Sequence, residues 1–373
     1  MPRVDHKHSV PLVKNITVPL VLTIFLVNLS VTVEANPILP TQYQKLIGPG
    51  FSTNWFKAAK PEKYSEQNII DVRAKNFTNL RLRCREDLYS YDYTAPNFTW
   101  FLGNLTTTVD HCLKHNVIPI VSWVHHHAEA FASEDDHNAY VRWWTAVAQQ
   151  LKDKDYKLSF NLFTELGVDE CKKTDCSESL RERTDKYNRW TSDVKKAIRD
   201  TGGKNDERIL ILGSPKKTAK GLQQISKSIY ENDKYMMAEW HIYASGPNKV
   251  QGSKKYWNGD GIPEGRQNVR NAIQQATSFT EDTGLLTYLG AWMPQDPQFG
   301  KLTEAEVINF ARFFIGELCD VKVPWSLNVL DRYYDTKEAR WLTEKQNIEG
   351  QSLNMSRVLD NIREVMPKDL KCM

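Results

Sequence analysis

Short apolar runs rich in valine, isoleucine and leucine recur along the chain, with longer segments between them whose apolar residues fall at helical spacing. The runs are Asn79–Arg83, Val117–Val124, Leu158–Phe163, Ile209–Leu212, Met236–Tyr243, Leu285–Leu289 and Val323–Leu327, and an earlier one is assigned to Leu46–Phe51. Trp143, Ala146 and Val147 mark one intervening helix. Trp190, Val194 and Ile198 mark a second, and Val307, Phe310 and Phe314 a third. Strands alternating with helices point to a mainly parallel sheet. Eight strand candidates predict a (β/α)8 barrel, the TIM barrel. The rival is a doubly wound open sheet. It lacks support, because Gly48-Pro49-Gly50 does not have the spacing of a dinucleotide-binding loop.

The first 35 residues have a different character. Arg3, Lys7 and Lys14 precede an apolar run from Ile16 to Val33, and Val33 and Ala35 stand at −3 and −1 of a cleavage point before Asn36. This is the layout of a secretory signal peptide. The rival, an uncleaved anchor, needs about 20 mainly apolar residues. Here Thr17, Pro19, Thr23, Asn28 and Ser30 interrupt the run. Residues 1–35 are therefore expected to be removed, leaving 36–373 as one soluble, secreted, extracellular domain with no membrane span. No linker, low-complexity tract or repeat divides it.

Six cysteines, Cys84, Cys112, Cys171, Cys176, Cys319 and Cys372, behind a signal peptide predict three disulfides. Cys171 and Cys176 share a polar loop and are expected to pair. Sequons at Asn76, Asn97, Asn104 and Asn354 are candidate glycan acceptors. The net charge of +3 is too small to indicate a partner class. The nearest thing to a basic patch, Lys216–Lys220, reads as a solvated helix start, so no nucleic-acid partner is expected.

In a (β/α)8 barrel the C-terminal strand ends carry the chemistry. Here they supply Arg81 or Arg83, His125 to His127, Thr164 and Glu165, His241 and Tyr243, Ala291 and Trp292, and Trp325 and Asn328. His241 and Tyr243 are two apart and share a face. Imidazoles, an arginine, a carboxylate and aromatic rings suit a carbohydrate, with rings against sugar faces and polar groups on hydroxyls. Trp292 and Trp325 equally suit a packed core. Three consecutive histidines cannot all be metal ligands, because neighbours on a strand point oppositely. No metal and no cofactor is expected.

These strand ends resemble glycoside hydrolase family 5, the cellulase-like retaining glycosidases, over most of residues 45–335. GPGFSTNWF (48–56) is similar to the family's opening Gly-x-Asn-Leu-x-x-Trp stretch, and NFTNLRLRC (76–84) to GFNTVRIPV, which assigns the family arginine to Arg81. VSWVHHHAE (121–129) resembles the strand ending in His-His and assigns the substrate-contacting histidine to His126 or His125. FNLFTEL (160–166) resembles FELLNEP and assigns the proton donor to Glu165. EWHIYASGP (239–247) resembles the His-x-Tyr strand, TYLGAWM (287–293) resembles VYLGEFG, and VPWSLNVLDRYYD (323–335) resembles PWxYWxF…YD. The resemblance implies an oligosaccharide or polysaccharide ligand with β-linkages and a monomeric chain.

Three positions depart from the pattern. The nucleophile glutamate is replaced by Ala291, the asparagine before the proton donor by Thr164, and the tryptophan of the last strand by Asn328. Retention needs two carboxyl groups about 5 Å apart. Alanine cannot attack an anomeric carbon, and removing a nucleophile typically costs on the order of 10⁴–10⁶ in rate. Glu239 faces the same way as His241 but one layer deeper, and Asp296 falls in a loop. The first expectation is a catalytically impaired, carbohydrate-binding or matrix protein. The alternatives are an active endo-β-glycosidase of endoglucanase or mannanase type, and a structural protein with a vestigial cleft.

Overall fold

The strands are buried on both faces, and their residues alternate between two apolar layers, one inside the barrel and one outside. The computed structural model describes residues 36–57, 64–86, 96–125, 128, 132–163, 184–215, 217–243, 257–295, 301–348 and 350–366. The chain divides into two units, Met1–Glu34 and Ala35–Met373, and every described residue belongs to the second.

In chain order the elements are α1 (Pro40–Ile47), β1 (Pro49–Phe56), α2 (Glu66–Ala74), β2 (Asn79–Arg85), α3 (Pro96–Lys114), β3 (Ile118–Val124), α4 (Glu134–Leu151), β4 (Ser159–Asn161), α5 (Thr184–Arg199), β5 (Leu210–Gly213), α6 (Lys227–Tyr230), β6 (Met236–Tyr243), α7 (Pro263–Thr283), β7 (Thr287–Met293), α8 (Glu304–Val321) and β8 (Trp325–Leu327). The strands form a closed barrel in the order β1 to β8, and β1 pairs with β8 in parallel. After β8 come two small hairpins, β9 (Tyr334–Asp335) with β10 (Arg340–Trp341) and β11 (Gln346–Ile348) with β12 (Gln351–Leu353), then α9 (Met355–Val365). This is the expected (β/α)8 fold.

Local chemistry sets the helix ends. In α4, Asp136 N donates to Ser133 Oγ at 3.2 Å while Asp136 Oδ2 accepts from Ser133 N at 2.9 Å, a reciprocal cap. Its face of Tyr140, Trp143, Trp144, Val147 and Leu151 is buried at helical spacing. Thr303 and Glu306 close the start of α8 in the same way.

Inside the barrel, Ile118, Ile120, Ile209, Ile211, Met237 and Tyr288 form an apolar plug, and Tyr43 and Ile47 of α1 lie against it. Tyr43 Oη donates to Lys157 O at 2.8 Å, and Gln44 Nε2 to Thr287 O at 3.2 Å, so α1 is a floor under the N-terminal strand ends. This corrects the first strand expectation. Leu46 and Ile47 end a helix that Pro40 starts, and the strand begins only at Pro49. Outside, a larger apolar layer fills the space between strands and helices.

The cysteine expectation also changes. Cys84 on β2 and Cys112 on α3 are free thiols, both buried in the outer apolar layer, so the chain does not form three disulfides. Burial raises the pKa of both thiols. Cys319 is disulfide-bonded. The expected Cys171–Cys176 pair lies outside the described residues. Among the described residues, no helix is long and apolar enough to cross a membrane.

Candidate active site

Above the apolar plug the inward positions become polar. Alternation along β2 turns Leu80 and Leu82 outward and leaves Asn79, Arg81 and Arg83 inward. On β6 the same rule turns Trp240 outward and Glu239 and His241 inward. β3 and β4 contribute Ser122 and Asn161.

These side chains form one closed network around a carboxylate. Glu239 Oε1 lies 2.8 Å from Arg81 Nη2 and 2.6 Å from His241 Nε2, and Glu239 Oε2 accepts from Asn161 Nδ2 at 2.5 Å. Asn161 Oδ1 accepts from Arg81 Nε at 3.1 Å, from Arg81 Nη2 at 2.9 Å and from Ser122 Oγ at 2.5 Å. Arg81 and Asn161 are fully buried and Glu239 is 1% exposed. Buried charges are tolerated when paired and hydrogen-bonded, and this set meets both conditions.

A single glycine makes room for it. A Cβ on Gly290 of β7 would stand 1.7 Å from Glu239 Oε1, so only glycine admits the carboxylate there. The β6–β7 register shifts beside it, and Ala291 pairs with His241. Ala291 therefore stands at the level of His241, one step nearer the mouth than Glu239, with its methyl group buried. Lower in the barrel, Tyr288 Oη donates to Ser326 Oγ, which donates to Asn79 Oδ1 at 2.5 Å. Burial pushes the Tyr288 phenol up, so it stays a donor.

His125 follows β3. Its Nδ1 accepts from Ala128 N at 3.0 Å, which leaves the ring proton on Nε2, 2.8 Å from Glu86 Oε2. Both side chains are buried. His125 is therefore held internally between the ends of β2 and β3.

Trp292 and Trp325 leave the expected binding set. Their rings meet edge to face at 5.5 Å, and Trp292 meets Phe314 of α8 at 5.2 Å. Both point into the outer apolar layer and present no face to a sugar. Asn328 does stand at the mouth, half-buried. Its backbone N donates to Trp292 O at 2.8 Å, and the Asn328–Val329 peptide is cis. Tyr243 is paired with Met293 at the end of β6. Thr164, Glu165 and His126 lie outside the described residues.

Sequence reasoning missed Asn161, Ser122 and Glu86. Asn161 was legible as the one amide at an inward position of an apolar strand. Glu86 was not, because nothing local ties it to His125. Among the described residues no cluster of side chains could hold a metal ion.

A (β/α)8 barrel with charged and polar side chains gathered at the C-terminal ends of its strands is the architecture of an enzyme-type cleft. The chain matches the family model Cellulase (glycosyl hydrolase family 5) over residues 41–308, and it belongs to that family. The fold is similar to an endoglucanase at 18% identity and a TM-score of 0.66, covering 81% of this chain and 96% of that one. It is also similar to the full-length tri-modular endo-beta-1,4-glucanase B of Bacillus halodurans at 16% identity and a TM-score of 0.71, covering 89% of this chain and 62% of that one. Endoglucanase Cel5A of Thermotoga maritima matches at 15% identity and a TM-score of 0.66, over 88% of this chain and 100% of that one. Among curated proteins none matches the chain by sequence.

Proposed function

We propose that this family 5 member is a secreted glycoprotein that binds a β-linked glucan or related polysaccharide in the barrel mouth and does not hydrolyse it by the retaining route. One observation carries the reading. Ala291 pairs with His241 on the neighbouring strand, and the resemblance of TYLGAWM to VYLGEFG assigns the family's nucleophile to that position. Retention requires a carboxylate there, opposite a proton donor. Glu239 is not a ready substitute. It lies one step deeper, and Arg81, His241 and Asn161 hold its oxygens. A carboxylate so bound is a weak nucleophile and cannot advance to a sugar without exposing a buried arginine.

In this reading Glu165, Thr164, His126, His241, Tyr243 and Asn328 face the ligand, and Arg81 with Glu239 forms the base on which His241 is oriented. The endoglucanase structures make a β-1,4-glucan the first ligand to test. The signal-peptide layout of residues 1–35, the sequons and the disulfide at Cys319 support an extracellular setting. No cofactor or metal is needed, and the chain acts as a monomer.

The test pairs binding with turnover. The secreted protein should be retarded in gels containing soluble β-glucan or glucomannan while releasing no reducing ends from either. Ala291→Glu restores a carboxylate beside His241 and should give weak hydrolysis of an activated aryl β-glucoside with retained configuration. Adding Glu165→Gln should abolish it. Wild-type turnover equal to that of Ala291→Glu would instead establish an active endo-β-glycosidase with a differently placed base. No retardation and no turnover would leave a structural protein.

A further inference from the structure

Of the chain's 11 tryptophans, Trp100 alone is exposed. It lies on α3 with 49% of its surface open. A single exposed apolar residue needs no partner, but an open indole offers a flat apolar face, and its surroundings on the helix supply a group that could cover it. Asn97 and Asn104 begin sequons three residues before it and four after, so all three stand on one helix face.

The Asn104 amide lies over the backbone of Trp100. Helical side chains lean toward the N-terminus, over the residue one turn earlier. Asn104 Nδ2, the atom an N-glycan occupies, donates to Trp100 O at 2.8 Å. Gly103 stands beside the two on open surface, where even a Cβ would meet no atom within 4 Å. A glycine inside an exposed helix weakens it, and nothing packed nearby requires one here. It does leave room for a ring.

We propose that Trp100 is the stacking platform for the first sugar of an N-glycan on Asn104, seated on the open surface at Gly103. The inference rests on the reading of the chain as secreted. In the attachment step the Asn104 Nδ2–C1 bond to N-acetylglucosamine forms as the C1–O bond to a lipid pyrophosphate donor breaks. The amide gives up one proton and keeps the other, which can still donate to Trp100 O. The sugar's axial C–H face then covers one face of the indole, the usual geometry of sugar on tryptophan.

The experiment uses the full chain secreted from eukaryotic cells, with glycopeptide mass spectrometry and acrylamide quenching of tryptophan fluorescence. Trp100 dominates the quenchable signal because nine of the others are buried and Trp341 is half-buried. Asn104→Gln, and Thr106→Val, which ends the sequon but keeps Asn104, should each raise the quenchable fraction roughly twofold, since stacking hides one of two ring faces. Asn97→Gln should leave it unchanged, and Trp100→Phe should remove it with or without the glycan. Glycans at Asn76 or Asn354 but none at Asn104 would overturn the inference and spare the secreted reading. Equal quenching with and without the Asn104 glycan would overturn it too, as would protection of Trp100 by added β-glucan oligosaccharide in the Thr106→Val variant. An intact leader with no glycan at any sequon would remove both.

Discussion

Two buried arginines, one at each end of the barrel, are held in opposite ways. At the floor, Arg208 stands just before β5 and has no carboxylate within ion-pair distance among the described residues. It donates to Asn205 Oδ1 at 2.7 Å and to the carbonyls of Lys154 at 2.7 Å, Asp155 at 2.8 Å and Leu158 at 3.0 Å. It also reaches Leu151 O and Lys152 O at 3.3 Å, the last carbonyls of α4, a helix with no basic residue in its own last turn. The cation closes the negative end of a helix and ties the following loop to the strand. Desolvation lowers its pKa to about 10, still charged at neutral pH. At the mouth, Arg81 is equally buried but faces a carboxylate, Glu239, which also holds His241. The floor spreads its charge over neutral acceptors and leaves nothing reactive. The mouth keeps a charged pair and an imidazole at the base of the cleft. This division between a stabilising face and a functional face is the usual one for the fold.

The largest expected effect tests the mouth. Glu239→Ala leaves Arg81 buried without its counter-charge, which should cost about 3–5 kcal/mol. Polysaccharide binding should fail even at temperatures where thermal unfolding shows the variant folded. Retained binding would mean that the pair serves stability alone, as Arg208 does. Next is the floor. Arg208→Met strands several carbonyls and should cost roughly 2–4 kcal/mol in chemical unfolding. The folded fraction should still bind as wild type does. A change in binding affinity there would break the contrast between the two ends.

The smallest effect lies outside the barrel and serves as a control for both. Hydrogen bonds from Lys114, the last residue of α3, and then from His115 just after it lower the pKa of Glu66 from 4.5 to about 2. The ionised form is thus favoured in the folded state, and its stabilisation is complete above about pH 4.5 and lost as pH falls through about 2. Glu66→Gln should lower the melting temperature slightly at pH 6, and the difference should vanish near pH 2. Exposure keeps the effect small. A gap that persists at pH 2 would assign the loss to something other than the charge.

Much of this was legible in the sequence because period and spacing survive without tertiary context. The run Met236–Tyr243 was placed to the residue. Glu239 and His241, two apart, were rightly put on one face with the glutamate deeper. Legibility failed where one residue has two physically good fates. Trp292 and Trp325 had the composition of sugar platforms, and the β7 bulge with the partnership of Phe314 turned them into the core. His125 read as a ligand contact, and Glu86, from another strand end, lies on its ring. Cys84 and Cys112 read as two of six cysteines in a disulfide set, but each is enclosed separately by apolar neighbours.

The sequence by itself determined the barrel and the facing of its regular strands, β2 and β6 among them, since both follow from local alternation. Only the tertiary structure decided which carboxylate faces Arg81. The answer is Glu239 on β6, admitted because Gly290 on β7 has no side chain. Those residues come from three strands far apart in sequence. Their meeting depends on barrel closure and on a one-residue shift in register, neither of which any local pattern encodes.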